Sequence, residues 1–125
     1  MNPKNLELIK EYTVKKSNYA KYKEERENAI IVEDEYGFAS AVEYENHMYI
    51  DEIYVIPEER KNNRASTYAD KIAYIALEKG YKKLLGSIDP KANGSTTSMK
   101  VLLAYGFKLL CVDNNLIYLE KQIGE

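Results

Sequence analysis

Residues 48–88 read MYIDEIYVIPEERKNNRASTYADKIAYIALEKGYKKLLGSI, and the fold turns on this stretch. An apolar, β-branched and aromatic run (Tyr49, Ile50, Ile53, Tyr54, Val55, Ile56) is stopped by Pro57, which gives a strand over 48–56. A polar loop rich in charge and asparagine follows from Glu58 to Arg64. A helix is expected over 65–79, with Tyr68, Ile72, Ile75 and Ala76 on one stripe and Ala69 and Ala73 beside it. Gly80 ends that helix as a C′ residue, and Lys79 complements its dipole. A second apolar run, 84–88, completes a strand–loop–helix–strand unit, whose crossover is expected to be right-handed. The loop opens onto a helix N-terminus, where unpaired N–H groups and the positive end of the dipole favour an anion.

Around this unit the rest of the chain reads as one domain, 1–125. At 125 residues, 45% hydrophobic and 30% charged, it suits a globular protein with a proper core. No apolar run approaches the ~18 residues of a membrane span, and the start has no signal pattern, so a cytoplasmic protein is expected. One cysteine excludes an internal disulfide, and one histidine beside it argues against a metal site. A net charge of −2 argues against nucleic acid. The ligand is therefore expected to be small, or a protein.

Before the deciding stretch, helices are expected over 5–13 and 17–27, the second capped by Ser17 or Asn18, with Tyr19 and Tyr22 on its apolar side. Strands over 29–32 and 38–44, joined by Asp34-Glu35-Tyr36-Gly37, make a meander with the 48–56 strand through Glu45-Asn46-His47. After Ile88, Asp-Pro and Asn-Gly pairs mark an irregular loop. A short helix capped by Ser95, Thr96 or Thr97 follows, turning Met99, Leu102 and Leu103 inward, and Gly106 closes it. Strands over 107–112 and 116–120 form a last hairpin across Asp113-Asn114-Asn115, where Cys111 is expected to be buried and inert. With 12 tyrosines against 2 phenylalanines, most rings are expected to pack with wet hydroxyls, and Tyr44, Tyr49 or Tyr54 are open to an acceptor pocket. His47 falls in a solvated turn. Acidic residues (Glu33, Asp34, Glu35, Glu43, Glu45, Asp51, Glu52) cluster along the meander, either as solvated strand faces or as an attraction for a cationic amine.

In its order of elements from Ala29 onward, and in IDEIYVIPEER and Tyr105-Gly106-Phe107, the chain resembles the GNAT superfamily of N-acetyltransferases. The resemblance covers roughly three-quarters of the chain. It implies an α/β fold, with a mixed, mostly antiparallel sheet flanked by helices. It also implies acetyl-CoA as co-substrate, no metal, and a primary amine as acceptor, on a small molecule or on a protein. The family shows a hydrophobic strand ending in V-x-P-x-x-R, then Arg/Gln-x-x-Gly-x-Gly/Ala over the coenzyme pyrophosphate. Here Pro57 and Arg60 match, Asn63 replaces the first glycine, and Ala65 is permitted at the second. Asparagine is the non-glycine residue that most readily takes positive φ, so Asn63 is able to keep the loop. Carried over, Arg60, Lys61, Asn62, Asn63, Arg64, Ala65 and Ser66 hold the pyrophosphate, and Tyr54, Val55, Ser95 and Ser98 border the pantetheine.

The strand IDEIYV is also similar to that of spermidine/spermine acetyltransferases, which implies a base at Asp51 with Glu52 as the substitute. An alkyl ammonium of pKa about 10.4 must lose a proton before it attacks a thioester, and a carboxylate of raised pKa accepts one. Strand alternation puts the two on opposite faces, so that only one points into the site. The tyrosine that protonates the departing thiolate in many family members falls at Leu102, and the preceding asparagine at Ser95. Tyr105 lies about 4.5 Å further along the helix as a stand-in acid. Little chain remains for a further N-terminal strand beyond a stub near Thr13–Val14, and an exposed edge invites a homodimer. The alternative is a GNAT-like domain without catalysis, either an acyl-CoA-binding regulator or a protein-interaction module.

Overall fold

The computed structural model describes residues 16–125; the expected 5–13 helix and the 13–14 stub lie outside the described residues. Helix α1 (Asn18–Glu27) leads into strands β1 (Ala29–Asp34), β2 (Gly37–Tyr44) and β3 (His47–Val55). A 3-10 turn (Pro57–Glu59) precedes α2 (Arg64–Glu78), and β4 (Lys83–Ile88), α3 (Ser95–Tyr105), β5 (Lys108–Asp113) and β6 (Leu116–Gln122) complete the order. The strands form one sheet, β1-β2-β3-β4-β6-β5. Among the described residues only β3 and β4 are parallel; every other neighbouring pair is antiparallel. This is the mixed α/β architecture expected from the sequence. No helix among the described residues is long and apolar enough to cross a membrane.

Turn chemistry fixes the meander and the last hairpin. Glu45 and Asn46 both take positive φ (50° and 64°), as do Asn114 and Asn115 (50° and 64°). Each pair is a two-residue hairpin turn that matches the strand twist, one residue shorter than the expected connections. In the first turn Asp34 accepts from the amides of Tyr36 (2.8 Å) and Gly37 (3.2 Å). At Gly37 the backbone lies so close to β3 that a Cβ would sit 2.0 Å from the Tyr54 carbonyl oxygen.

Helices cover both faces of the sheet. On one, α2 and α3 bury Tyr68, Ile72, Ala76 and Leu102 against Val32, Ala39, Met48, Ile50, Leu84 and Leu119. On the other, Ala20 of α1 packs on Ala29 and Ile31. Ser17 caps α1 by accepting from the Ala20 amide (3.1 Å), and both its own amide and its hydroxyl donate to Glu33 of β1 (2.7 and 3.0 Å). The buried stripe of α1 is Ala20 and Lys23, whereas Tyr19 and Tyr22 are exposed. The stripe is rotated from the expected one because the small Ala20 lets the helix approach β1.

Three further expectations fail at the C-terminal end. Gly94, in the left-handed region (φ 78°), is the N-cap of α3, with no side-chain cap. Ser95 instead donates its hydroxyl back to the Pro90 carbonyl (3.2 Å). Leu103 points out, while Leu102 packs where Gly86 leaves room on β4, its Cδ1 3.1 Å from a would-be Cβ. Every residue of β5 is exposed, Cys111 included. Among the described residues β5 is an edge strand with a neighbour on one side only, so an apolar sequence there does not imply burial.

Candidate active site

Pairing between β3 and β4 is short. Tyr49 lies beside Leu85 and Ile50 beside Gly86, and the ladder ends there. Beyond it the strands part around a cleft of about 220 Å³. Ile50, Asp51, Glu52 and Ile53 form one wall, Ser87, Ile88 and Asp89 the other, and Ser95, Ser98, Val101 and Leu102 of α3 close one end.

A β-bulge sits where the strands part. On β2, Ser40 pairs with Glu52 and the next residue, Ala41, pairs with Ile50, leaving Asp51 as the extra residue. Burial records the change of phase: Met48 and Ile50 face the α2 core before it, and Ile53 and Val55 after it. Asp51 and Glu52 therefore share the α1 side of the sheet, and the opposite-face expectation is corrected. A bulge is the standard way to re-aim consecutive side chains.

Both carboxylates meet Lys23, which reaches in from α1. Its ammonium donates to Asp51 Oδ2 (2.6 Å), to Glu52 Oε1 and to Ser40 Oγ (3.0 Å). Ser40 donates in turn to Asp51 Oδ1 (2.5 Å), and Tyr19 to Glu52 Oε1 (2.5 Å). Tyr19 and Lys23 both reach the same Glu52 oxygen, Oε1, whereas the contacts of Asp51 are divided between its two oxygens. The Lys23 side chain is only 7% exposed, against 30% for Asp51 and 43% for Glu52. The lysine thus holds the pair from behind, and the carboxylates face the cleft.

Charge balance follows from this geometry. Burial disfavours the Lys23 ammonium, but its bonds to Asp51 and Glu52 and their charges outweigh that and raise its pKa. Burial alone would raise the Glu52 carboxyl; hydrogen bonds from Lys23 and Tyr19 and the lysine charge hold it below the ordinary 4.5. Glu52 is therefore not the raised-pKa carboxylate that the base argument asks for.

The anion loop lies past the end of β3. Asn63 adopts φ 58°, ψ 24°, the left-handed conformation expected of it, and precedes α2 without a side-chain cap. The amides of Arg64, Ala65 and Ser66 open the helix, where no intrahelical acceptor exists. Charges around them are partly spent. Arg64 pairs with Glu59 (2.6 Å) and lies 3.8 Å over the Tyr36 ring. Arg60 donates to the Val55 carbonyl (2.8 Å) and lies 5.7 Å from the Tyr54 ring centre, and Asn62 donates to Glu59 (2.9 Å). Lys61 is exposed.

Tyr105 is not brought to the cleft. Its hydroxyl donates to Asp70 of α2 (2.6 Å), and burial, then this bond, raises its pKa. None of Tyr44, Tyr49 and Tyr54 lines the cleft, and His47 is exposed. The residues missed by sequence are Tyr19, Lys23 and Ser40. The one available signal was Lys23 three residues after Ala20, on the helical stripe that meets the sheet. No group of metal-binding side chains occurs among the described residues.

Comparison with known proteins bears on the fold. The chain resembles the solved PaiA N-acetyltransferase of Thermoplasma acidophilum in complex with coenzyme A (18% identity, 70% of this chain and 53% of that one, TM-score 0.60). It also resembles an aminoglycoside 6'-N-acetyltransferase complexed with coenzyme A (15%, 98% and 92%, TM-score 0.64). A third likeness is an N-acetyltransferase of Staphylococcus aureus Mu50 (20%, 84% and 73%, TM-score 0.59). The chain thus spans about half the length of the PaiA structure. No curated protein matches it in sequence. The model of the acetyltransferase (GNAT) family matches residues 4–107, most of the chain, including the parted strands, the loop after Pro57 and α3. On that match and the shared fold, the chain belongs to the GNAT acetyltransferase family.

Proposed function

We propose that the protein transfers an acetyl group from acetyl-CoA to a primary amine, on a small molecule or on a protein. The observation that carries this reading is the cleft between β3 and β4, with a carboxylate pair on its wall and an uncapped helix N-terminus past the end of β3. Acetyl-CoA supplies an acetyl group activated as a thioester, with the coenzyme thiolate as leaving group. The amides of Arg64, Ala65 and Ser66, with Arg60 and Lys61 nearby and Asn62 and Asn63 shaping the loop, hold its pyrophosphate. Backbone at Tyr54 and Val55 and the hydroxyls of Ser95 and Ser98 border the pantetheine arm.

At the acceptor side Glu52, the more exposed of the pair, anchors the ammonium, and Asp51 takes its proton through a water. The uncharged amine then attacks the thioester carbonyl, the carbon–sulfur bond breaks, and the nitrogen releases its second proton to water as the amide forms. With Leu102 on the cleft wall and Tyr105 bonded to Asp70, the thiolate leaves without a tyrosine acid and takes its proton from water.

The test is thermal unfolding with saturating CoA and acetyl-CoA, followed by acetylation of an amine panel. A ligand at about 100 times its Kd adds about 2.7 kcal/mol, which raises the melting temperature on the order of 5–15 °C. No shift with either ligand overturns the reading. A shift without turnover favours a second reading, an acyl-CoA-binding regulator, for which the absent cleft tyrosine is the specific observation. Pairing of two copies is favoured at β5, where Leu109, Leu110 and Val112 are exposed on an edge strand.

A further inference from the structure

A lysine bonded to two neighbouring carboxylates and drawn almost out of solvent is more than a surface ion pair. Lys23 spends its three protons on Ser40, Asp51 and Glu52, and so has none for a ligand. The carboxylates keep their outer sides toward the cleft, which both of them line. One ammonium against two carboxylates leaves a single negative charge on this wall, and Asp89 on the opposite wall adds a further carboxylate to the cleft.

Other groups facing Lys23 do not cancel that charge. From its own helix these are Tyr19, whose hydroxyl is bonded to Glu52, and Glu27, 3.8 Å away with a half-exposed side chain that water screens. Ser40 is the contact from β2, and β3 supplies Asp51 and Glu52. If the lysine charge is removed, two carboxylates are left side by side. They must then share a proton or draw in another cation.

We propose that Lys23 is a built-in counter-cation which leaves the Asp51–Glu52 pair room for one acceptor ammonium group, so that removing its charge shifts the cleft toward dicationic amines. This rests on the amine-acceptor reading above and deepens it by naming what sets the number of ammonium groups the carboxylate pair accepts. Lys23 touches neither substrate nor coenzyme and acts through Asp51 and Glu52, which makes it a positioning residue. Its helix also carries Tyr19, so α1 supplies two of the contacts that hold Glu52.

The test uses the full chain saturated with CoA, which lacks an acetyl group, so that amine binding is read without turnover. Butylamine and 1,4-diaminobutane are titrated by calorimetry at neutral pH into wild type, Lys23→Gln, Lys23→Met and Lys23→Arg. Wild type and Lys23→Arg are expected to show the same ratio of monoamine to diamine affinity. In Lys23→Gln the affinity ratio is expected to swing toward the diamine by about tenfold, with the low-pH limb of amine binding moved up by about one pH unit. Glutamine can still bond Ser40 and a carboxylate, so this variant keeps the fold if Lys23→Met does not. A folded Lys23→Gln with wild-type ratio and pH limb overturns the inference, as does a wild type that binds neither amine. The same titration without coenzyme separates the two claims: amine selectivity without any CoA-induced melting shift overturns the acetyltransferase reading and leaves the inference standing.

Discussion

At the scale of single residues, the two carboxylates have different surroundings and are expected to fail differently. Glu52 is the more exposed of the two, so Glu52→Gln is expected to raise KM for the amine about tenfold with kcat little changed. Asp51 has both oxygens bonded, and Asp51→Asn is expected to lower kcat by ten- to a hundredfold or more, within the range of general base catalysis. Steady-state kinetics on both variants check this division, and an identical effect from the two would refute it. Tyr105→Phe removes only the bond to Asp70; kcat is expected to stay within about twofold while stability drops by about 1 kcal/mol. A pH dependence also belongs here. The folded Glu52 carboxyl lies below its ordinary 4.5, so its ion pair stabilises the fold above that value and is lost as acid protonates it. Melting temperatures between about pH 6 and pH 3 are expected to fall less steeply in Lys23→Gln than in wild type.

At the scale of elements, how legible each was depended on where its information lies. The deciding strand–loop–helix–strand stretch was readable because Pro57, Asn63 and Gly80 mark its joints chemically, and α2 carries its burial stripe in its own residues. Asn63 takes the left-handed conformation its side chain tolerates. Asn63→Gly is therefore expected to keep the CoA-induced melting shift, whereas Asn63→Val is expected to lose stability by about 1–2 kcal/mol and weaken the shift. By contrast, the bulge at Asp51 was invisible, because it depends on how β2 and β3 align and not on either strand alone. Lys23 was missed for the same reason: a lysine in a charged helix reads as solvated until the strand carboxylates opposite it are known. Apolar β5 read as buried because periodicity reports composition, whereas burial depends on a neighbour that an edge strand lacks.

At the scale of the whole molecule, the family match and the parted strands agree on the fold, while acceptor chemistry rests on a few side chains gathered from α1, β2 and β3. Cys111 offers a probe at this scale, being exposed on the free edge. In dilute protein it is expected to react fully with a thiol reagent without denaturant; labelling that slows as concentration rises would report pairing of copies at β5. The bulge has a wider consequence. β3 carries two phases joined at one residue, the earlier serving the core beneath α2 and the later keeping Ile53 and Val55 inward once Asp51 and Glu52 have both turned to α1. In an alignment of relatives, a one-position gap at Asp51 would be no minor length change. Losing that residue would restore strict alternation and force a choice between a packed core and the paired carboxylates, so such a gap would mark chains of this fold that have given up this way of meeting an amine.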